Sequence, residues 1–324
     1  MSRKRVTAAI VIVISLPVAL AAFEAISFHI RNRNNRSMIS SGEKREYLLY
    51  VPRSYDRTKP TPLVISMHGA GAWPTQQMNL SEWNRLADSQ GFIVVYPSGL
   101  EGVGPRVWRV GPDFAKDVRF ISEMIDKLET AYNIDPARVY ANGFSNGGGM
   151  AFVLSCALSD RIAAVGMVGA AQTLPWSWCR ERRAVPMIAF HGTEDRFAFY
   201  NGGTSWVAPH PFPAVPIWTA NWARRNRCGT QPVESTPAAD IIRREYTNCA
   251  DDAAVVLYTI RGGGHTWPGG EQLPEWFAGT TSRSIDATSQ MWAFFLAHPL
   301  SRKSVILSRE AGEGSQATHP AILR

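Results

Sequence analysis

The sequence predicts an α/β fold in which a mostly parallel central sheet is covered by helices on both faces. Continuous apolar runs at 62–67, 92–97, 185–190 and 253–260 are typical of strands that are buried on both faces. Between such runs lie segments in which apolar residues recur at helical spacing, as in 116–132. Strands that alternate with helices along a chain indicate a mostly parallel sheet.

The remaining elements follow from shorter patterns in chain order. We expect a first strand at 46–51, and a nucleophile strand that ends near residue 141. A further strand is predicted at 162–168, and further helices are predicted at 80–89, 148–158, 217–227 and 284–295. Ile217, Trp218 and Trp222 are interpreted as core residues of one helix. The glycine-rich segment 98–115 and the proline-rich segment 206–216 are interpreted as loops.

The domain organisation is one main domain between two extensions, because 324 residues suit a single α/β domain of about 250 residues. Residues 1–23 combine a basic start with an apolar run, which predicts a signal peptide or an uncleaved membrane anchor. Either one would export the rest of the chain to a secreted, periplasmic or cell-surface location. We expect a linker at 24–42, the main domain at 43–299 and a mobile C-terminal tail at 300–324.

The net charge of +7 is concentrated at the N-terminus. Six basic residues and one acidic residue lie within residues 1–36, so this stretch supplies five of the seven net positive charges. The charges flank the apolar segment, where they bear on membrane orientation. No basic stripe runs along the main domain, so nucleic acid is not expected as a partner.

The four cysteines fit an oxidising compartment and predict disulfide bonds. Three pairings are possible. We favour Cys156 with Cys179 and Cys228 with Cys249, because each pair closes a short segment around predicted loops. No C-x-x-C spacing is present, which argues against a zinc or redox site.

The residues around Ser145 match the pattern G-x-S-x-G, which predicts a reactive serine at a sharp turn from a strand into a helix. Strand and helix approach closely at such a turn. The positions two before and two after the serine must therefore be small, and they are Gly143 and Gly147. The pattern alone is also met in ordinary glycine-rich turns, so the interpretation depends on reactive partners elsewhere.

A serine hydroxyl is a weak nucleophile and needs a base that is itself held by a carboxylate. His265 lies in a glycine-rich loop after the strand 253–260, and Asp195 follows the strand 185–190. Because functional groups collect at the carboxyl ends of parallel strands, we expect Ser145, Asp195 and His265 to form a catalytic triad. The alternatives at strand ends are His68, His191 and Glu194.

The tetrahedral intermediate of such a reaction needs preorganised N–H donors for its negative oxygen. We expect one donor to be the backbone N–H of Asn146, the residue after the serine. The second is expected from the loop 68–71, at Ala70. Trp108 and Trp267 are interpreted as substrate-binding residues that wall a pocket, with plain aromatic packing as the alternative.

Together these segments resemble the polyhydroxybutyrate depolymerase and feruloyl esterase family of α/β-hydrolases, carbohydrate esterase family 1. The resemblance extends from about residue 43 to residue 299 and is carried by 63–71, 132–148, 190–195, 226–228 and 262–270. It implies the α/β-hydrolase fold. It also implies that the catalytic serine, aspartate and histidine are Ser145, Asp195 and His265.

The resemblance implies a serine esterase that hydrolyses carboxylic esters through an acyl-enzyme, and the segment 1–23 predicts that this esterase is exported. Its substrate would be a hydroxyalkanoate oligomer or an acylated plant polysaccharide fragment, and neither a metal nor an organic cofactor is implied. Two enzyme alternatives use the same triad, namely an acyltransferase and a serine peptidase. An exported binding protein without catalysis is the alternative from another class.

Overall fold

A computed structural model describes residues 34–301 of the protein, apart from 103, 112 and 206–210. A ten-stranded mixed sheet forms the centre of this part of the chain. Its strands in chain order are β1 (Arg36–Ser40), β2 (Glu43–Tyr50), β3 (Thr61–Met67), β4 (Ile93–Pro97), β7 (Ile134–Phe144), β8 (Val165–Val168), β9 (Met187–Gly192), β10 (Val233–Ala238), β11 (Ile241–Tyr246) and β12 (Val255–Ile260). Strands β5 (Leu100–Gly102) and β6 (Gly104–Val107) form a separate hairpin.

The strands follow the order β1-β2-β4-β3-β7-β8-β9-β12-β11-β10 across the sheet. The six strands from β4 to β12 in this order pair in parallel. Antiparallel strands extend the sheet at both edges. The predicted mostly parallel sheet is therefore confirmed for its centre. Because the six central strands run in parallel, their carboxyl ends lie along one edge.

Helices cover both faces of the sheet and enclose two hydrophobic cores. The helices are α1 (Pro74–Ser81), α2 (Trp83–Gln90), α3 (Ala115–Ala131), α4 (Asn146–Ala157), α5 (Val215–Arg225), α6 (Glu275–Ala278) and α7 (Ala287–Ala297), with 3-10 turns at Trp176–Trp178 and Ala250–Asp252. Leu63 and Ile65 of β3 face the core under α3, α4 and α5, and Val64 faces the core under α2 and α7. This alternation explains why the central strands carry apolar residues on both faces.

Several sequence predictions were wrong in detail. The expected linker 24–42 contains β1, which pairs with β2. The expected loop 98–115 contains the hairpin of β5 and β6. The predicted helix 80–89 is interrupted at Glu82, whose φ of 52° ends α1 and precedes α2. Ile217 is 58 % exposed, because it lies on the outer face of α5 while its neighbours are buried.

The two disulfides join Cys156 to Cys179 and Cys228 to Cys249, which are the favoured pairings. The first ties the end of α4 to the 3-10 turn Trp176–Trp178, and the second ties the chain after α5 to the segment before β12. Across the described parts of the chain, no helix has the length and apolar character that crossing a membrane requires. The predicted export segment 1–23 and most of the predicted tail 300–324 lie outside the described residues.

Candidate active site

Ser145 stands at a strained turn between β7 and α4. Its φ of 53° with ψ of −120° is a positive-φ conformation, which costs a residue with a side chain about 1–3 kcal/mol. The N–H of Ser145 donates to the carbonyl of Val168, the last residue of β8, at 2.8 Å. The serine therefore lies at the carboxyl edge of the parallel strands, at the turn that the sequence predicts.

Glycine is required on both sides of Ser145 by close backbone contact. A Cβ atom at Gly143 would lie 2.3 Å from the carbonyl carbon of Gly147, and one at Gly147 would lie 2.2 Å from the carbonyl oxygen of Met67. These distances are far inside van der Waals contact, so a larger residue would displace the backbone. The first turn of α4 is thereby packed against the end of β3.

The carboxylate of Asp195 is buried and accepts hydrogen bonds at both oxygens. Oδ1 accepts the backbone N–H groups of Phe197 and Ala198, each at 2.8 Å. Oδ2 lies 2.7 Å from Nδ1 of His265. Burial alone would raise the pKa of Asp195, but the hydrogen bond and charge interaction with His265 outweigh it and lower the pKa. Glu194, the alternative, is exposed.

His265 is held in one orientation by its backbone and its ring. Its N–H donates to the carbonyl of Ala278 at 2.6 Å, which ties the histidine loop to α6. An ionised carboxylate only accepts hydrogen bonds, so Nδ1 carries the proton toward Asp195 and the neutral ring is basic at Nε2. The ring packs against Phe144 at 4.6 Å and Phe197 at 4.8 Å between centroids. Phe144 directly precedes Ser145, so serine and histidine share an aromatic neighbour.

His68 braces the loop in which the second oxyanion donor is expected. Its Nδ1 donates to the carbonyl of Gly69 at 2.7 Å, and its Nε2 accepts the N–H of Gly99 at 2.9 Å. Acceptance at Nε2 requires the tautomer with the proton on Nδ1. Burial lowers the pKa of His68 to about 4, so the ring is neutral near physiological pH.

His191 braces the loop that carries the aspartate. Its Nε2 donates to the carbonyl of Ala198 at 2.6 Å and lies 3.4 Å from Oδ2 of Asp195. Burial lowers the pKa of His191 and favours its neutral form. Of the three histidines at strand ends, His265 is the one whose ring donates directly to the carboxylate of Asp195 at 2.7 Å.

The two segments from which oxyanion donors are predicted both lie next to Ser145. Asn146 begins α4, and N–H groups in the first turn of a helix have no intrahelical acceptor and carry partial positive charge. A Cβ atom at Gly69 would lie 3.4 Å from Cβ of Ser145, so the loop 68–71 passes beside the serine. The N–H of Gly71 donates to the carbonyl of Arg106 at 2.8 Å, so Gly71 is not the donor, and Ala70 remains the predicted one in this loop.

Trp108 and Trp267 are packing residues, which corrects the prediction that they wall a substrate pocket. Trp267 is fully buried in the core under α7, and its Nε1 donates to Oγ1 of Thr288 at 2.9 Å. Trp108 is 2 % exposed, and its Nε1 donates to the carbonyl of His68 at 3.0 Å. Each indole is covered by other side chains, so neither offers a face to a ligand.

Gly169 is a site residue that the sequence analysis missed. It follows β8 with φ of +54°, and a Cβ atom there would lie 3.0 Å from Nδ1 of His265 and 3.4 Å from Oδ2 of Asp195. A side chain would press on the hydrogen bond between these two residues. The available signal was a glycine at the end of the strand next to the nucleophile strand.

Within residues 34–301, at the positions that the structure describes, no group of three or more His, Cys, Asp and Glu side chains is arranged to hold a metal ion.

The fold is that of an α/β-hydrolase, with Asp195 hydrogen-bonded to His265 and Ser145 at the carboxyl edge of the parallel strands. The model of the family described as "Esterase PHB depolymerase" matches residues 45–173. Feruloyl esterase B of Piromyces equi is 33 % identical over 229 residues, which are 68 % of this chain and 42 % of that protein. The protein named "Putative esterase NocK" of Nocardia uniformis subsp. tsuyamanensis is 30 % identical over 254 residues, covering 72 % of this chain and 74 % of that protein.

The chain belongs to the esterase PHB depolymerase family. It spans less than half the length of Feruloyl esterase B. Among solved structures, an acetyl xylan esterase from Aspergillus awamori superposes with a TM-score of 0.57 at 16 % identity, covering 78 % of this chain and 94 % of that one. At that level of identity the likeness supports the fold alone.

Proposed function

We propose that this protein is an exported serine hydrolase that cleaves carboxylic esters through an acyl-enzyme. The observation that carries the proposal is the 2.7 Å hydrogen bond between the buried carboxylate of Asp195 and Nδ1 of His265. It lies at the sheet edge that also holds the strained Ser145. A serine with a carboxylate-bound histidine is the arrangement that activates a hydroxyl for attack on an acyl carbon.

In the first half of the reaction, Oγ of Ser145 attacks the ester carbonyl carbon while Nε2 of His265 takes the hydroxyl proton. The carbonyl electron pair moves to oxygen, and the backbone N–H groups of Asn146 and Ala70 stabilise that charge. The positive end of α4 adds to this stabilisation. When the intermediate collapses, the bond to the alcohol oxygen breaks and His265 donates its proton to that oxygen.

In the second half, water enters where the alcohol left. His265 accepts a proton from the water as its oxygen attacks the acyl carbon. The second tetrahedral intermediate then releases the carboxylic acid and returns the proton to Ser145. Asp195 stays ionised throughout and stabilises the imidazolium that forms twice in each cycle.

The substrate that we propose is an ester of an acylated plant polysaccharide fragment or of a hydroxyalkanoate oligomer. The names of the family and of Feruloyl esterase B support these two classes. The proposed location is extracytoplasmic. Two disulfides support it, because such bonds persist in oxidising compartments.

The test is a hydrolysis panel with the purified protein and its Ser145→Ala variant. The panel holds methyl ferulate, acetylated xylan, a hydroxybutyrate trimer and p-nitrophenyl acetate. Ser155→Ala is the matched control, since Ser155 lies on the same helix and its hydroxyl donates to the carbonyl of Phe152 at 2.7 Å. We expect turnover of at least one ester by the wild type and by Ser155→Ala, and none by Ser145→Ala.

Four outcomes would contradict the proposal. Full activity of Ser145→Ala would remove the serine from the mechanism. Cleavage of peptides without cleavage of any ester, or transfer of the acyl group to a sugar in preference to water, would favour a peptidase or an acyltransferase. Inactivity on every ester would favour a binding protein.

A further inference from the structure

A row of aromatic rings leads from His265 to the protein surface. The ring of Phe197 lies 4.8 Å from that of His265, Phe277 lies 5.0 Å from Phe197, and Trp276 lies 5.8 Å from Phe277, all between centroids. We call Phe197, Phe277 and Trp276 the aromatic ledge. It is continuous with the proposed base, so a molecule on the ledge would lie beside the reacting ester.

The outer part of the ledge is unusually open to solvent. Trp276 is 82 % exposed and Phe277 is 48 % exposed. Single exposed apolar side chains are common on protein surfaces. Adjacent exposed aromatic rings that continue from a catalytic histidine indicate a binding surface. An indole in this position contributes little to the core, because most of its surface stays in water.

The ledge is fixed relative to His265 by short backbone contacts. Ala278, the last residue of α6, accepts the N–H of His265 at 2.6 Å, and Thr280 accepts the N–H of Gly264 at 2.9 Å. The hydroxyl of Thr280 donates to Oε1 of Glu275 at 2.8 Å, at the start of α6. These hydrogen bonds fix α6 relative to the loop that carries His265. A ligand bound on the ledge would therefore be held in a defined position relative to the histidine.

The position of the ledge selects one side of the substrate. In ester cleavage the histidine protonates the oxygen of the departing alcohol, so the alcohol portion lies on the histidine side of the scissile bond. The acyl oxygen points instead toward the N–H donors at Asn146 and the loop 68–71. A ring system that starts on His265 and runs outward is therefore placed to contact the alcohol portion.

We propose that the aromatic ledge binds a sugar ring in the alcohol portion of a carbohydrate ester. This inference rests on the proposed ester hydrolysis and narrows its substrate class. A sugar ring offers an apolar C–H face to an indole and hydroxyl donors at its edge. Glu275 directly precedes Trp276 along the chain and Glu271 lies five residues before it; both side chains are exposed, and carboxylates accept hydrogen bonds from hydroxyls. The repeat of a polyester chain has no hydroxyl to donate.

The test compares two esters of one acid that differ in the alcohol, namely methyl ferulate and a feruloylated arabinoxylan oligosaccharide. The acetyl pair, methyl acetate and acetylated xylotetraose, is measured in parallel. For Trp276→Ala we expect the ratio of kcat/KM for the sugar ester to that for the methyl ester to fall about 3- to 10-fold, mainly through KM. Trp178→Ala is the matched control, because Trp178 is another exposed tryptophan, at 41 %, on the 3-10 turn Trp176–Trp178.

A second arm separates this proposal from ester hydrolysis itself. Binding of unacylated xylohexaose and arabinoxylan oligosaccharides to Ser145→Ala is measured by isothermal titration calorimetry, with and without Trp276→Ala. We expect weaker binding in the double variant even if no ester in the panel is turned over. An unchanged ratio, an equal change in Trp178→Ala, or a dependence on Trp276 for a hydroxybutyrate trimer but not for the sugar ester would overturn the proposal.

Discussion

The side-chain amide of Asn146 forms hydrogen bonds with both the backbone N–H and the backbone carbonyl of Trp108. Oδ1 of Asn146 accepts the N–H of Trp108 at 2.7 Å, and Nδ2 donates to its carbonyl at 3.2 Å. The indole of Trp108 then donates to the carbonyl of His68 at 3.0 Å. Trp108 thus joins the start of α4 to the loop 68–71, the two segments from which we expect the oxyanion donors.

This connection predicts the effect of Asn146→Ala. The substitution keeps the backbone N–H of residue 146 but releases Trp108 and with it the spacing of the two donors. We expect kcat to fall on the order of 10- to 100-fold with little change in KM, since the donors act on the transition state. Stability should fall by about 1–3 kcal/mol, because polar groups of Trp108 lose partners.

Steady-state kinetics and urea unfolding measure both effects of Asn146→Ala. Asn84→Ala is the control. The side-chain oxygen of Asn84 also accepts a hydrogen bond, from the hydroxyl of Tyr96 at 2.9 Å, but Asn84 lies on α2 and not at the start of α4. A loss of kcat that is equal in the two variants would show that Asn146 has no special relation to the oxyanion donors.

The surroundings of Asp195 predict a strong effect of Asp195→Asn. Oδ1 is held by two backbone N–H groups, so an asparagine would place its carbonyl there and its NH₂ toward His265. The histidine would then carry its proton on Nε2 and lose its basic nitrogen. We expect kcat to fall by roughly 10⁴, with KM little changed. The exposed neighbour Glu194→Gln is the control, and equal losses in the two variants would contradict the assignment.

Gly169 and Gly91 provide a matched pair for testing the site. Both have positive φ, at +54° and +73°, but a Cβ at Gly169 meets His265 and Asp195 while one at Gly91 meets nothing within 4 Å. Alanine at either position should cost about 1–2 kcal/mol of stability from backbone strain. We expect only Gly169→Ala to lose ester hydrolysis as well, by at least about 10-fold, because its methyl group displaces the imidazole.

The comparison of Gly169→Ala with Gly91→Ala needs thermal unfolding and kcat/KM for one ester of the panel. Equal retention of activity in the two folded variants would show that the hydrogen bond between His265 and Asp195 tolerates displacement, or that it does not serve catalysis.

The central strands and the reactive turn were predictable because their signals are local. Strand β3 is apolar at nearly every position, as a strand covered on both faces must be. The glycines around Ser145 form a short pattern in the sequence, although the contact that requires Gly147 is with Met67 of β3. The order of Ser145, Asp195 and His265 then follows from the ends of three strands.

Features that depend on distant packing were not predictable. β10 is exposed along most of its length and has no alternating pattern, so its pairing with β11 left no signal in the sequence. The interruption at Glu82 occurs at a residue that does not favour positive φ, within a pattern that continues across it. The burial of Trp108 and Trp267 depends on contacts with His68 and Thr288, which lie 40 and 21 residues away along the chain.

The buried His68 predicts a pH dependence of stability. Burial lowers its pKa in the folded state to about 4 from an ordinary value of 6.5, so the unfolded chain binds a proton that the folded chain rejects. The stability due to neutral His68 is full above pH 6.5 and is lost as the pH falls from 6.5 to about 4. The shift corresponds to about 3 kcal/mol.

Urea unfolding across this pH range tests the role of His68. His68→Gln keeps an acceptor for the N–H of Gly99 but does not titrate. We therefore expect the free energy of unfolding of the variant to decline with acid by about 3 kcal/mol less than that of the wild type. The lowered pKa of His191 acts in the same direction and remains in both proteins. An identical decline in wild type and variant would mean that His68 is protonated in the folded state.

The most direct test of the central claim is the reaction of the folded protein with a p-nitrophenyl alkylphosphonate. An activated Ser145 attacks phosphorus and expels p-nitrophenolate, and the phosphonyl group stays on the serine. We predict one added group by intact mass and its location on Ser145 by peptide mapping, with no addition to Ser145→Ala and much slower addition to His265→Ala. Labelling of another residue, no labelling of the folded wild type, or equal rates in wild type and His265→Ala would contradict the account.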